Sequence, residues 1–298
     1  MKKVLVIGGL NVDILAKTND KIKYHDSNPG NLSYSFGGVA KNIADNLSKL
    51  EVDVTFLTAV GRDQFGNEFI KTSKTSEFKL RYKEVSSTPA YLALLNHFHD
   101  LEVAVAAMDS LKELDVNYLT DNKDFINEFD IIVLDTNLDD SVLEYIFNTF
   151  DKEIYVDGVS TFKVLKLKPH LEKINHLKVN YQEALALYDL ENLKKDEVLN
   201  FYKSSEIKNI YITDGSNGSY LVSNKKVVHY SKPTKNIVST SGAGDAFFSG
   251  VIYANLNNLD PLVYGSALAL ISLESEFTVS NKLNISYLNK KIKDIENE

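Results

Sequence analysis

Two glycines, one carboxylic acid and a helical apolar run follow one another at Ser239-Thr240-Ser241-Gly242-Ala243-Gly244-Asp245-Ala246-Phe247-Phe248. A β-rich segment, Lys226 to Val238, leads into them. Successive backbone N–H groups at such a loop and helix start form an anion pocket, and the helix dipole strengthens it. An Asp beside an anion pocket repels anions, so it rarely serves binding alone. Asp245 suits removal of a proton from a hydroxyl that attacks the anion. A glycine turn followed by an ordinary first-turn Asp is the plain alternative.

Other stretches carry weaker signals. Gly8-Gly9-Leu10-Asn11-Val12-Asp13 follows the apolar run Val4 to Ile7. It lacks the third glycine and the helix start of a dinucleotide fingerprint, which disfavours a nicotinamide cofactor. Asn11 and Asp13, two apart at a strand end, fit vicinal sugar hydroxyls or a polar turn equally well. Gly37-Gly38-Val39-Ala40-Lys41-Asn42 opens a helix, and its glycines let a ligand approach backbone N–H groups. Asn42, one turn in, can point at the same ligand, or the glycines are only a cap. Asn180 and Glu183 sit three apart where a strand becomes a helix. A capping box is the simpler reading; a water network around phosphate-bound Mg²⁺ is the sharper one. Thr213-Asp214-Gly215-Ser216-Asn217-Gly218 reads as a hairpin turn whose glycines also let a nucleotide pack on backbone. Asp26-Ser27-Asn28-Pro29-Gly30 is, by local chemistry, a Pro-Gly turn.

These residues need a scaffold, and the apolar pattern supplies one. Strands are predicted at Val54–Val60, Ile131–Leu134, Ile154–Val156, Leu177–Val179 and Ile210–Thr213, with an antiparallel pair at Tyr91–Asn96 and Glu102–Ala107. Helices are predicted at Gly38–Leu50, Ser141–Phe150, Gln182–Tyr188, Leu193–Lys203, Asp245–Asn255, Pro261–Leu273 and Ile285–Ile295. Alternating β and α elements indicate a mostly parallel sheet covered on both faces, with sites at the carboxyl ends of strands. Residues 14–36 and 80–108 break the alternation, being β-leaning and polar. They are expected to form a small β-sheet lid over a main α/β domain made of 1–13, 37–79 and 109–298.

Bulk properties narrow the function. The 298 residues are 44% hydrophobic and 25% charged with a net charge of −8. That is globular composition, and the acidic balance argues against a nucleic-acid partner. No cysteine is present, which removes disulfides, thiolate nucleophiles and Cys-based zinc sites. The six histidines show no zinc-protease spacing. No apolar run reaches about 18 residues, and the first residues lead straight into a strand instead of a signal peptide. A soluble protein of the cytoplasm, with no membrane partner, is expected.

Taken in order, the motifs resemble those of the ribokinase-like (PfkB) carbohydrate kinases. The chain carries Gly37-Gly38 with Asn42, a Gly-x-Asp-x-x-Gly at Gly61 to Gly66, Asn180 with Glu183, Thr213 with Gly215 and Gly218, and Gly242-Ala243-Gly244-Asp245. Each is weak alone; the ordered set is specific and spans nearly the whole chain. Within the family the resemblance is greatest to pseudouridine kinases, through Asp26 to Gly30 ahead of the double glycine and through Val156 to Ser160 with Lys163. The resemblance implies a three-layer α/β/α fold and ATP-dependent phosphorylation of the 5′-hydroxyl of pseudouridine. It implies Asp245 as base, and the N–H groups of Gly242, Ala243 and Gly244 as the cradle for the transferring group. Asn180 and Glu183 would order the waters of Mg²⁺, and Thr213, Gly215, Gly218, Gly242 and Gly244 would contact ATP. Asn11, Asp13, Gly37, Gly38 and Asn42 would hold the acceptor, with Asn28 and Asn137 as further contacts. Ser239 departs from the Asp or Asn that the family usually has there, a residue that in many members helps hold a monovalent cation, so the resemblance leaves a K⁺ beside Ser239 open. A homodimer through the lid is implied as well. Ribose, adenosine or another nucleoside as acceptor, and a nucleoside-binding protein without catalysis, are the alternatives.

Overall fold

Strands buried on both faces must be apolar along their length, and the runs Val4–Ile7 and Ile131–Leu134 are fully enclosed. In the computed structural model, which describes residues 2–191, 193–232 and 236–297, these runs lie at the centre of a large sheet. In chain order the strands are β1 (Val4–Ile7), β2 (Asn11–Thr18), β3 (Gly30–Gly37), β4 (Val54–Gly61), β5 (Lys79–Val85), β6 (Ala90–Leu95) and β7 (Leu101–Ala107). They continue as β8 (Ile131–Asp135), β9 (Glu153–Asp157), β10 (His176–Asn180), β11 (Asn209–Thr213), β12 (Ser219–Ser223) and β13 (Lys226–Tyr230). The helices are α1 (Val39–Ser48), α2 (Gln64–Ser73), α3 (Val116–Asp121), α4 (Lys123–Asn127), α5 (Asp140–Thr149), α6 (Tyr181–Tyr188), α7 (Lys195–Tyr202), α8 (Ala243–Leu256), α9 (Pro261–Leu273) and α10 (Ile285–Glu296).

The large sheet has nine strands in the order β13-β12-β11-β10-β9-β8-β1-β4-β5. It is parallel from β11 to β5, and β12 and β13 add an antiparallel edge. One core lies between the sheet and α1, α2 and α8, built from residues such as Ile43, Leu47, Phe69, Phe248 and Val251. A second lies under α5, α6, α7 and the 3₁₀ segment Lys163–Lys173, through Leu143, Ile146, Leu167, Leu187 and Val198. The result is the expected three layers, α/β/α. The predicted β segment from Lys226 ends at Tyr230. Its portion at 233–235 lies outside the described residues.

A separate four-stranded sheet has the order β3-β2-β6-β7. Its pairing differs from the predicted boundaries in two places. Lys79–Val85, whose residues from 80 onward were assigned to the lid, is instead the edge strand of the large sheet. Its register with β4 sets Leu80 opposite Phe56, so Leu80 packs against the core. Asn11 to Asp13, assigned to the main domain, open β2 of the small sheet. The register also divides the small sheet into two unlike faces. Ile14 and Ala16 share one face with Tyr34 and Leu32 of β3, Leu92 and Leu94 of β6, and Val105 and Val103 of β7. Asn11 and Asp13 alternate onto the other face, with Gly37 and Ser35 opposite them.

Candidate active site

The base candidate stands at the start of α8. Gly242 caps this helix with φ 78°, in the left-handed region, and no side chain caps the helix. A Cβ at Gly242 would overlap the Thr278 carbonyl, so both the turn and the packing require glycine. The uncapped first turn leaves its N–H groups available to an anion. Ala243 N–H makes only a long contact, 3.5 Å, to the Thr240 carbonyl.

Asp245 lies in that first turn, and its Oδ2 accepts a hydrogen bond of 2.8 Å from Asn42 Nδ2. Asn42 belongs to α1, whose start is set by Gly38 at φ 110°. The two glycine-led helix starts, far apart in sequence, thus deliver one side chain each to the same point. Burial pushes the Asp245 carboxyl up to about 7, with the nearby Asp157 adding and Lys178 and Asn42 opposing. Asp245 is partly exposed, and the raised pKa makes its carboxylate a stronger base than an ordinary Asp.

Lys178 and Asp157 complete the charge pattern, at 3.1 Å and almost fully enclosed. A Cβ at Gly244 would lie 2.9 Å from Lys178 Nζ, so the ammonium rests against the glycine cradle. Burial works against the Lys178 charge, but Asp157, Glu183 and Asp245 outweigh it and hold its pKa above the usual value. Sequence reasoning gave Lys178 no role. The available signal was a lysine in the middle of a strand otherwise built to be buried, where an unpaired charge is rare.

Asp135 was also missed, and it is fully buried. Its Oδ2 accepts from Gly9 N–H at 3.1 Å and Ala40 N–H at 3.0 Å, and its Oδ1 from Asn137 N–H at 2.9 Å. One carboxylate therefore ties the ends of β1 and β8 to the start of α1. Burial raises its pKa against these hydrogen bonds.

On the acceptor side, Asn11 Nδ2 donates to Asp13 Oδ1 at 2.6 Å. A Cβ at Gly37 would overlap the Asp13 carboxylate, and one at Gly38 would overlap the Gly9 carbonyl. Asn11, Asp13, Gly37, Gly38, Asn42 and Asp245 thus form one connected group. Asn137 borders it: a Cβ at Gly9 would lie 3.3 Å from Asn137 Nδ2. Asn28 does not join it. Its Oδ1 accepts from Lys23 N–H and its Nδ2 donates to the Lys23 and Asp26 carbonyls, so its amide is spent on its own loop.

On the nucleotide side, Asn180 and Glu183 form the capping box of α6. Glu183 Oε2 accepts from Asn180 N–H at 2.9 Å and Oε1 from Asn180 Nδ2 at 2.6 Å. Among the described residues no group of three or more His, Cys, Asp or Glu could hold a metal. The residues present fit Mg²⁺ only through its waters, which Mg²⁺ characteristically keeps. Thr213 ends β11, and Gly215 and Gly218, both at positive φ, shape the hairpin to β12. An ion pair between Lys195 and Asp214 anchors this hairpin to α7. Ser239 Oγ accepts from Ser241 N–H at 3.2 Å, one turn before the cradle. The Gly61–Gly66 motif is architectural: Asp63 caps α2 through Gly66 N–H and also accepts from Thr88 N–H and Oγ1.

The chain resembles known kinases along most of its length. The pfkB family carbohydrate kinase profile matches residues 1–281. The chain is 28% identical to the pseudouridine kinase of Escherichia coli (strain K12), covering 95% of this chain and 94% of that one. It is 26% identical to the guanosine-inosine kinase of Exiguobacterium acetylicum, covering 85% and 87%. A carbohydrate kinase from Agrobacterium tumefaciens superposes with a TM-score of 0.87 at 25% identity over 99% and 98%. Arabidopsis thaliana ribokinase complexed with ribose and ATP gives 0.80 at 17% identity over 98% and 99%. The match of family and fold identifies the chain as a member of the pfkB family of carbohydrate kinases, a sugar or nucleoside kinase that transfers phosphate to a hydroxyl.

Proposed function

We propose that this protein phosphorylates the 5′-hydroxyl of pseudouridine with ATP, giving pseudouridine 5′-phosphate and ADP. The observation that carries the transfer chemistry is the Asp245 carboxyl, held by Asn42 and raised toward neutrality, in the first turn of an uncapped helix. Asp245 takes the acceptor hydroxyl proton as the oxygen attacks the γ-phosphorus and the bond to the ADP oxygen breaks. The N–H groups of Gly242, Ala243 and Gly244 receive the charge on the transferring group. Asn180 and Glu183 would hold Mg²⁺ through its waters, and the ion would supply charge neutralisation for phosphoryl transfer. Thr213, Gly215 and Gly218 hold the nucleotide.

Asn11, Asp13, Gly37, Gly38 and Asn42 hold the ribose, and the small sheet closes over it as a lid that excludes water. Asn137 is a further acceptor contact in this reading, and Asn28 shapes the lid loop. A K⁺ beside Ser239 belongs to the same reading; ATP turnover unchanged between K⁺ and choline salts would remove it. A homodimer through the lid, working in the cytoplasm, goes with the proposal. The choice of pseudouridine rests on the Asp26–Gly30 cluster and on the similarity to the Escherichia coli enzyme.

The test is mass-spectrometric detection of pseudouridine 5′-phosphate from ATP and pseudouridine, with uridine as control. Product from uridine, ribose or adenosine but not from pseudouridine would transfer the same mechanism to another acceptor. The similarity to a guanosine-inosine kinase makes purine nucleosides the second acceptor class to assay.

A further inference from the structure

We infer that Lys195 is a positioning residue for the nucleotide: its ammonium neutralises Asp214, so that the hairpin between β11 and β12 can receive a polyphosphate. The inference rests on the placement of ATP at this hairpin given above and extends it to two residues with no part in it. Asp214 stands between Thr213 and Gly215, both of which contact ATP in that reading. A carboxylate there, left uncompensated, repels the phosphates that its neighbours bind. Its side chain is only 14% exposed, so water screens the charge weakly.

The compensation is built from three elements. Lys195 occupies the first position of α7, and its ammonium donates to Asp214 Oδ2. The same ammonium lies 5.4 Å from the ring centres of both Tyr181 and Tyr220. Tyr181 follows Asn180 at the start of α6, and Tyr220 lies two residues past Gly218 in β12. His229 stacks on Tyr220 at 4.5 Å and donates from Nε2 to the Asn217 carbonyl at 2.8 Å, which fixes that ring to the hairpin. Among the described residues Lys195 is the cation that pairs with Asp214. Asp214 in turn holds the Lys195 pKa above its usual value, so the pair stays charged at neutral pH.

The hairpin itself has one closed and one open glycine. A Cβ at Gly218 would overlap the Tyr230 carbonyl, whereas one at Gly215 would meet nothing within 4 Å. Free space therefore begins directly beside Asp214. A plain strut, with Lys195 and Asp214 merely tying α7 to the hairpin, is the competing reading. The two differ in sign. In a strut, losing either partner loosens the hairpin and weakens ATP. In charge compensation, losing Lys195 exposes an anion to ATP, and losing Asp214 leaves a free cation that attracts it.

The experiment measures Kd for ATP and for pseudouridine by calorimetry, at low and high salt, for wild type, Lys195→Met, Asp214→Asn and the double variant. Lys195→Met should bind ATP roughly 5- to 30-fold more weakly at low salt, and the loss should shrink at high salt as the repulsion is screened. Asp214→Asn should bind ATP more tightly than wild type, and the double variant should return to within about threefold of wild type. Pseudouridine affinity stays unchanged throughout, and Lys195→Arg keeps ATP affinity. Weaker ATP binding in Asp214→Asn, a Lys195→Met loss indifferent to salt, or unchanged ATP affinity in Lys195→Met each overturns the inference. Should Lys195→Met fail to fold, Asp214→Asn decides alone: tighter ATP binding supports charge compensation, and equal or weaker binding overturns it. A folded wild type that binds pseudouridine but no ATP overturns the nucleotide reading itself.

Discussion

At the residue scale the site turns on one proton acceptor and the charges that tune it. Asp245→Asn keeps the side-chain shape and the Asn42 contact but cannot accept a proton. Turnover should fall by roughly 10²–10⁴-fold, measured in a coupled ADP assay. The wild-type acid limb of kcat/KM should lie near the raised Asp245 value of about 7, because the base must be ionised to act. The same shift has a stability consequence of defined sign. The folded carboxyl binds its proton more tightly than the unfolded one, so its contribution is present at low pH and is lost as pH rises through about 7. Asp245→Asn should therefore raise the melting temperature relative to wild type at pH 8 and show little gain at pH 4. Lys178 and Asp157 should move the acid limb in opposite directions. Lys178→Met removes the cation that favours the Asp245 carboxylate and should shift the limb upward. Asp157→Asn removes a like charge and should shift it downward. Parallel shifts, or none, would disconnect this pair from the base.

At the element scale the work is done by helix starts whose sequence allows no Cβ. Gly242→Ala places a methyl group on the Thr278 carbonyl and forces a left-handed alanine. The strain is worth about 1–2 kcal/mol before the clash is counted, so lower stability in urea should accompany loss of phosphoryl transfer. Gly244→Ala meets only the Lys178 ammonium and should cost less stability at similar harm to turnover. These glycines, and the strands and helices between them, were legible because periodicity and turn chemistry are local properties. The register of the small sheet was not. Lys79–Val85 alternates polar and apolar residues as a lid strand would, and only its pairing with β4 assigns it to the large sheet. Lys178 and Asp135 escaped for a related reason. Each looks like an isolated polar residue in a strand until the fold brings Asp157 to one and three N–H groups to the other. Asn28 shows the reverse case, a motif residue whose amide is consumed by its own turn.

At the scale of the whole molecule, the small sheet raises a solvation problem that a single chain leaves unsolved. Its inner face carries Asn11 and Asp13, while its other face carries Leu32, Leu92, Val103 and Val105, all well exposed. A contiguous apolar sheet face of this kind favours burial against another surface. A second copy offers a matching face under two-fold symmetry, where each patch meets itself. We therefore expect sedimentation equilibrium to give a dimer at micromolar concentration. Leu92→Asp combined with Val105→Asp sets a cross-strand pair of like charges at the centre of the face and should yield a folded monomer. Asn11 and Asp13 lie on the same strands that the dimer would steady, whereas Asn180 and Thr213 end strands of the large sheet. The monomeric variant should therefore show a raised KM for the acceptor with the KM for ATP little changed. A wild type that remains monomeric would leave the apolar face to some other use. A monomeric variant with unaltered acceptor KM would separate lid order from assembly, because the polar face would then be positioned by its own chain alone.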